Sequence, residues 1–287
     1  MTLRSVWSVF WRWSLLSLSL VLIEMVCRAV LPQPAIVANA VKPADVGRAL
    51  GSVVFIDSLF GAVMLFIARR ATHGGWKLYL SLVAFQFGCS TFMLQIETLA
   101  FHEAFPMLSV PDIFLMMLSG LVGAALFNLL VVTVAGKWKY AGTMHVPDLS
   151  AIGLSAAIYP VIYLVFGYFV AYGSEATRAF YAGTSLGGSP GATSEIILVA
   201  FQVLRGALWA ICCLPVAALL SRREELVGAL AVGFPVFTAL RLIHNNPIMP
   251  EAVRYSHGFE LATSMTLFGV VLGFLLSRRS EARQSKA

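Results

Sequence analysis

Charged residues are scarce in this chain: Asp, Glu, Lys and Arg make up only 12% of its 287 residues, about half the share of a soluble domain. Hydrophobic residues make up 59%, and the mean hydropathy is +0.84. This composition argues against a soluble fold. Because a helix needs about 20 apolar residues to cross the hydrocarbon core of a bilayer, the apolar content suffices for eight crossings.

Motifs that would indicate a particular chemistry are also missing from the sequence. No Walker or Rossmann glycine fingerprint occurs, which disfavours a nucleotide-driven pump. The basic residues are not gathered into a basic domain with interleaved aromatics, so the net charge of +6 does not indicate a nucleic-acid partner. The four cysteines have no CxxC spacing and predict neither a disulfide framework nor a redox centre. They are Cys27, Cys89, Cys212 and Cys213.

Continuous apolar runs separated by charged or Pro/Gly-rich breaks predict an all-α polytopic transmembrane bundle. The runs do not alternate every second residue, which excludes a β-barrel. We expect a single integral membrane domain over residues 1–287, with a flexible outer loop at 173–194 and a basic cytoplasmic tail at 277–287. The eight predicted spans lie near residues 11–31, 50–68, 78–101, 111–135, 149–172, 195–220, 226–243 and 255–276.

The loop charges predict the orientation of the bundle. Of the 20 Lys and Arg residues, thirteen fall in the loops and tails of one side, four fall on the other side, and three fall inside predicted spans. The positive-inside rule assigns the richer side to the cytoplasm. Because the number of spans is even, we expect both termini in the cytoplasm and the protein in the plasma (inner) membrane, with the lipid bilayer as its surroundings.

Small residues four positions apart predict close approach of helices. Two such pairs occur, Ser119 with Gly123 and Gly269 with Gly273. We expect them to form packing seams within the monomer rather than a dimer interface.

The few charges inside the predicted spans gather in the outer half of the bilayer. A charged side chain there normally faces the protein interior and is paired or functional. This placement predicts a polar cavity that opens outward, with the fourth and fifth spans, which carry no charge beyond Asp112 at the edge of the fourth, as walls facing lipid. The intramembrane set is Glu24, Arg28, Asp57, Glu97, Arg205, Arg241, His257 and Glu260, and adjacent outer loops add His102, Glu103, His244, Asn245, Asn246 and Arg254.

The sharpest local pattern is Arg254-x-x-His257-x-x-Glu260, which sets an imidazole one turn from a carboxylate. That spacing suits a general acid–base pair, and we predict catalytic roles for His257, Glu260 and Glu97. Two alternatives stay open: a structural hydrogen-bonded pair, or a divalent metal site. The metal site would use His102, His244 and His257.

Arginines from different helices can clamp a phosphate or carboxylate. We therefore predict that an anionic substrate is bound by Arg205, Arg241 and Arg254, with Asp57 and Asn245 beside them. The alternative is mutual pairing of these charges with the buried acids, in which case the ion pairs fix helix packing.

Three functions are compatible with this pattern. The leading hypothesis is an intramembrane enzyme that acts on a lipid-linked or small anionic substrate at the outer leaflet. The second is an ion- or proton-coupled transporter, in which kinks at Pro160, Pro215 and Pro235 permit gating. The third is a non-catalytic subunit or assembly factor of a membrane complex.

Overall fold

The computed structural model of the protein describes residues 3–38, 46–182, 184, 192–243 and 248–284. Over these residues the chain is all-helical, with 84% helix and no strand. The helices are α1 Leu3–Val30, α2 Ala35–Ala38, α3 Val46–Arg70, α4 Gly75–Phe87, α5 Met93–Ala100, α6 Val110–Ala135, α7 Ser150–Phe169, α8 Glu175–Tyr181, α9 Ala192–Leu219, α10 Arg223–Phe237 and α11 Glu251–Gln284.

Eight helical segments are long and apolar enough to cross a membrane, which confirms the prediction of a multi-pass bundle. They share large apolar side chains on their outer surfaces, as lipid contact requires. More than half of the most apolar window of α11 is buried (56%) against 22% for α7, so α11 is central and α7 peripheral. The segments are Val6–Val30, Val46–Arg70, Gly75–Ala100, Val110–Ala135, Ser150–Gly173, Ser194–Leu219, Arg223–Leu242 and Glu251–Ser277.

The start and end of α6 illustrate how the sequence sets helix limits. The Ser109 side chain accepts from the Asp112 backbone N–H, and the Asp112 carboxylate accepts in return from the Ser109 backbone N–H. This capping box satisfies donors that the first turn leaves open. At the other end, Gly136 adopts a φ of 70°, the left-handed conformation that stops the helix.

The predicted outer loop and tail both contain more helix than we expected. Within 173–194, Ser174 caps α8, and the α8 ring of Phe180 packs 5.8 Å from Phe105. The first part of that segment therefore contains a helix that packs against the loop before α6. The tail continues α11 as far as Gln284.

The third span contains a π turn, Gly88–Phe92, that joins α4 to α5. Two glycines allow the neighbouring helices to approach this turn closely. A Cβ atom added at Gly88 would lie 2.7 Å from Cys212 Sγ, and one added at Gly120 would lie 2.5 Å from side-chain atoms of Thr91. Such turns often mark functional segments. This one brings the outer part of the span toward α9.

One of the two predicted small-residue seams is present. A Cβ at Gly269 would lie 2.5 Å from the carbonyl oxygen of Leu230, and a Cβ at Gly273 would lie 2.7 Å from the Cα of Val227. The α10 and α11 backbones therefore meet at these glycines. Gly123 differs, because a Cβ there would have no neighbour within 4 Å in the described part of the chain.

The loops of the basic side converge on one end of the bundle, which we call the basic end. Thr72 donates its backbone N–H to Leu219, His145 donates to Ala218, and the Arg70 guanidinium pairs with Glu225 at 2.9 Å. The opposite end, the polar end, holds the charged residues of the predicted cavity. Between the two lies a core of aromatic and aliphatic side chains, including Phe60, Trp209, Phe234, Phe237 and Phe268.

We expect Gly269→Ala to destabilise the protein by about 1–3 kcal/mol, because the added methyl group must push the α10 backbone away. Gly123→Ala is the matched control, since it adds the same methyl group to a helix where there is open space. Thermal unfolding in detergent measures both. Equal melting temperatures for the two variants would contradict the α10–α11 seam.

Candidate functional site

Most of the intramembrane charged residues of the polar end fall into two clusters. We define the His257 cluster as Glu97, Gln202, Arg205, His257, Glu260 and Ser264, and the Asp57 cluster as Glu24, Arg28, Asp57 and Arg241. His257 interacts electrostatically with Glu260, Glu97 and Arg205, whereas Asp57 interacts with Glu24, Arg241 and Arg28. The sequence predicted one shared pocket, and the structure distributes its residues between these two groups.

An ion pair between α5 and α9 anchors the His257 cluster. Arg205 donates from Nη1 to Glu97 Oε1 at 2.8 Å and from Nη2 to Glu97 Oε2 at 2.7 Å. Its Nη1 also donates to Gln202 Oε1 at 3.0 Å. The Arg205 side chain is only 2% exposed, and the two parallel contacts use the fork geometry that makes arginine–carboxylate pairs strong. Both Nη atoms of Arg205 are therefore bound to partners within the protein.

Aromatic rings surround the same guanidinium. The Arg205 Cζ lies 5.5 Å from the ring centroid of Tyr159, 5.8 Å from that of Tyr163 and 5.7 Å from that of Phe201, within cation–π range. Tyr159 and Tyr163 belong to α7, the fifth span, which we had expected to be an outer wall alone. One face of α7 therefore meets lipid, whereas the face that carries Tyr159 and Tyr163 covers the ion pair.

His257, Glu260 and Ser264 follow one another along a single face of α11. The three- and four-residue steps place them on adjacent turns. Glu260 Oε2 lies 3.2 Å from His257 Nδ1, and Glu260 Oε1 accepts from Ser264 Oγ at 3.0 Å. The His257 contact is electrostatic, because its geometry is not that of an aligned hydrogen bond. Both oxygens of a buried carboxylate thus have a partner on its own helix.

The second nitrogen of His257 is open. Its Nε2 has no hydrogen-bond partner among the described residues, and the side chain is 16% exposed. A free imidazole nitrogen with a carboxylate beside the other nitrogen is the arrangement of a proton-transfer group. This geometry is what the Arg254-x-x-His257-x-x-Glu260 spacing predicted for the last two residues.

One residue within electrostatic range of the cluster was not singled out by the sequence. Tyr181, the last residue of α8, lies 6.0 Å from Phe101 between ring centroids. Burial raises the pKa of its hydroxyl, and the negative charges of Glu97 and Glu260 raise it further. Tyr181 therefore lies close to both acids. The sequence feature that could have indicated the helix carrying Tyr181 is Ser174, a helix cap inside a segment dominated by Gly and Ser.

The Asp57 cluster lies between α1, α3 and the turn that follows α10. Arg241 Nη2 is 3.4 Å from Glu24 Oε1, and the Arg241 Cζ lies 5.6 Å from the Phe60 ring centroid. Asp57 is 2% exposed, and its Oδ2 has no hydrogen-bond partner in the described ranges. The structure therefore brings Arg241 and Asp57 together but pairs the arginine with Glu24.

Arg254 has a structural contact rather than an open guanidinium. It is buried, and its Nη1 donates to the carbonyl oxygen of Leu242 at 3.2 Å. One turn further along α11, a Cβ at Gly258 would lie 3.6 Å from the Cβ of Leu242. These contacts hold the start of α11 against the turn that carries Arg241.

The residues predicted to hold a metal are not assembled in the described part of the chain. His102 uses its Nε2 to donate to the carbonyl oxygen of Leu108 at 2.6 Å, which closes the loop before α6. His244 and Asn245 lie outside the described residues. Within the described ranges, no group of three or more His, Cys, Asp or Glu residues could hold a metal ion.

Comparison with protein-family models, curated proteins and solved structures gives no match for this chain. The chemistry of the site is therefore inferred from its own geometry.

We expect Arg205→Met to lower the free energy of unfolding by about 3–5 kcal/mol, because it leaves the Glu97 carboxylate buried without its partner. The double variant Glu97→Gln with Arg205→Met should lose less than the sum of the two single variants. Unfolding in mixed detergent–dodecyl sulfate micelles measures the cycle.

The control for this cycle is Glu195→Gln, which removes an exposed charge from the first turns of α9 and should change stability by about 0.5 kcal/mol or less. Strict additivity of Glu97→Gln and Arg205→Met would contradict a direct ion pair.

Proposed function

We propose that the protein is an intramembrane enzyme in which His257 and Glu260 perform acid–base chemistry on a lipid-linked or small anionic substrate. The observation that carries this proposal is the His257 imidazole, which has a free Nε2 and a buried carboxylate 3.2 Å from its Nδ1. Glu97 and Arg205 form the second half of the proposed site.

In this proposal each residue of the site has a separate role. His257 Nε2 takes a proton from the substrate or returns one to it, and the resulting imidazolium is stabilised by the Glu260 carboxylate. Ser264 holds that carboxylate by its other oxygen. The Glu97–Arg205 pair adds fixed charges that need not reorganise during the reaction, which is the electrostatic advantage of a low-dielectric site.

The arginines support a narrower anion site than the sequence alone predicted. Arg205 is bound to Glu97 and Arg241 pairs with Glu24. We propose that an anionic group approaches through the Arg205 guanidinium, whose Nε is buried and makes no hydrogen bond within the described residues. Under this proposal Asp57 and Arg241 do not contact the substrate.

Two further functions stay as alternatives. Proton- or ion-coupled transport is favoured by the buried Asp57 and by Pro160, Pro215 and Pro235, which all lie inside helices. A non-catalytic subunit or assembly factor would use the ion pairs for packing only, as the Arg205–Glu97 geometry also allows.

The central experiment uses proteoliposomes made from the lipids and soluble metabolites of the expression host, with untargeted mass spectrometry as the readout. We expect the wild type to convert at least one lipid or small anion, and His257→Ala and Glu260→Gln to reduce that conversion by about 10²–10⁴-fold. Thr266→Ala is the control, since this exposed α11 hydroxyl bonds to the carbonyl oxygen of Ala262 on its own helix and its loss should leave full activity.

Two results would contradict the enzyme. A compound that crosses the bilayer unchanged, with the same dependence on His257, would indicate transport instead. Folded His257→Ala protein with the same metabolite profile as the wild type would indicate a non-catalytic role.

We also propose that the basic end faces the cytoplasm of the plasma membrane, with both termini on that side. The support is the concentration of Lys and Arg in the loops of that end. In intact cells, a membrane-impermeant maleimide should label Glu175→Cys at the polar end and leave Lys139→Cys unlabelled. The wild type, which carries only its four native cysteines, sets the background. The reverse labelling pattern would contradict the orientation.

A further inference from the structure

The Asp57 carboxyl is buried, and its surroundings do not stabilise its ionised form. It lies in the polar-end half of α3 and is 2% exposed. Its Oδ2 accepts no hydrogen bond from any described residue. An ionised carboxylate without a donor is among the most costly groups to keep out of water, whereas the neutral acid avoids most of that cost.

The charges that face Asp57 come from two elements. On α1 these are Glu24 and Arg28, and on the turn after α10 it is Arg241. Arg28 is exposed at the surface of α1. Among the described residues, the other neighbours of α3 bring no comparable charge. Asp112 of α6 is held by Ser109, Lys77 of α4 lies at the basic end, and the charged residues of α10 all fall in its first turn, at the basic end.

The cluster thus sets two acids against one inward-facing arginine, and of these three only Asp57 is fully buried, since the side chains of Glu24 and Arg241 are 24% and 39% exposed. Arg241 contacts Glu24 through its Nη2 at 3.4 Å. This single contact is longer than either of the two hydrogen bonds between Arg205 and Glu97. Glu24 and Asp57 compete for the same guanidinium. When Arg241 is bound to Glu24, the second acid is stable only if it carries no charge.

We infer that Asp57 is a proton-binding site of this protein, filled while Glu24 holds Arg241 and emptied when Arg241 turns to Asp57. The ligand is a proton from the water at the polar end. Uptake converts the carboxylate to the neutral acid, and release returns the proton to that water, with no other reactant. The site is separate from the His257 cluster, so it does not depend on the proposed enzyme function.

The experiment uses dicyclohexylcarbodiimide, an apolar reagent that modifies protonated carboxyl groups inside membranes. The full-length protein is treated in membrane vesicles over a range of pH, and the adduct on each acid is counted by peptide mass spectrometry. We expect an adduct on Asp57 that declines as the pH rises and that disappears in Asp57→Asn.

Two further variants give changes of opposite sign. Arg241→Gln removes the positive charge and should increase Asp57 labelling at a fixed high pH. Glu24→Gln frees Arg241 for Asp57 and should decrease labelling at a fixed low pH. Each change should be roughly tenfold, which corresponds to one pKa unit. His257→Ala should leave labelling unchanged, so that failure here and failure of the enzyme proposal are distinguishable.

An infrared measurement covers the case in which a variant folds poorly. The wild type should have a carbonyl stretch of a protonated, non-aqueous carboxyl group that Asp57→Asn lacks, and Asp57→Asn preserves the size of the side chain. The inference is overturned if Asp57 takes no label while Glu24 does. It is also overturned if labelling does not depend on pH, or if Glu24→Gln raises it.

Discussion

The polar end of this bundle is governed by the cost of charge in a medium that cannot solvate it. A buried guanidinium is tolerated only with a matched partner, and Arg205 obtains one from Glu97 with two hydrogen bonds of 2.7 and 2.8 Å. That pair fixes the distance between α5 and α9. The tyrosines of α7 cover it, and α11 presents His257 and Glu260 beside it. The position of the candidate site follows from this single contact.

The transmembrane architecture was predictable because hydropathy is a property of one segment at a time. Each apolar run is long enough to cross the bilayer on its own, so the eight spans could be recognised without knowledge of how they pack. The same reasoning worked within α11, where spacing alone put His257, Glu260 and Ser264 on one face. Orientation rests on loop charge, and packing does not bear on it.

Pairing between helices was not predictable, because it depends on which helices are neighbours and how each is rotated. On a regular helix, the steps of four and seven residues between Gln86, Ser90 and Glu97 predict a single stripe. The π turn Gly88–Phe92 interrupts that helix and changes its phase. In the structure Gln86 accepts from Asn128 of α6, whereas Glu97 binds Arg205 of α9. One predicted stripe therefore serves two different neighbours.

The short turn Leu240–Leu242 has a mechanical consequence. It carries Arg241, which is bound to Glu24. Leu242, the residue after Arg241, supplies the carbonyl oxygen that accepts a hydrogen bond from Arg254 at the start of α11. Three residues beyond Arg254 comes His257, and Gly258 lies against the side chain of Leu242. The turn therefore holds the first residues of α11, and with them His257, at one position against the helix that carries Glu24.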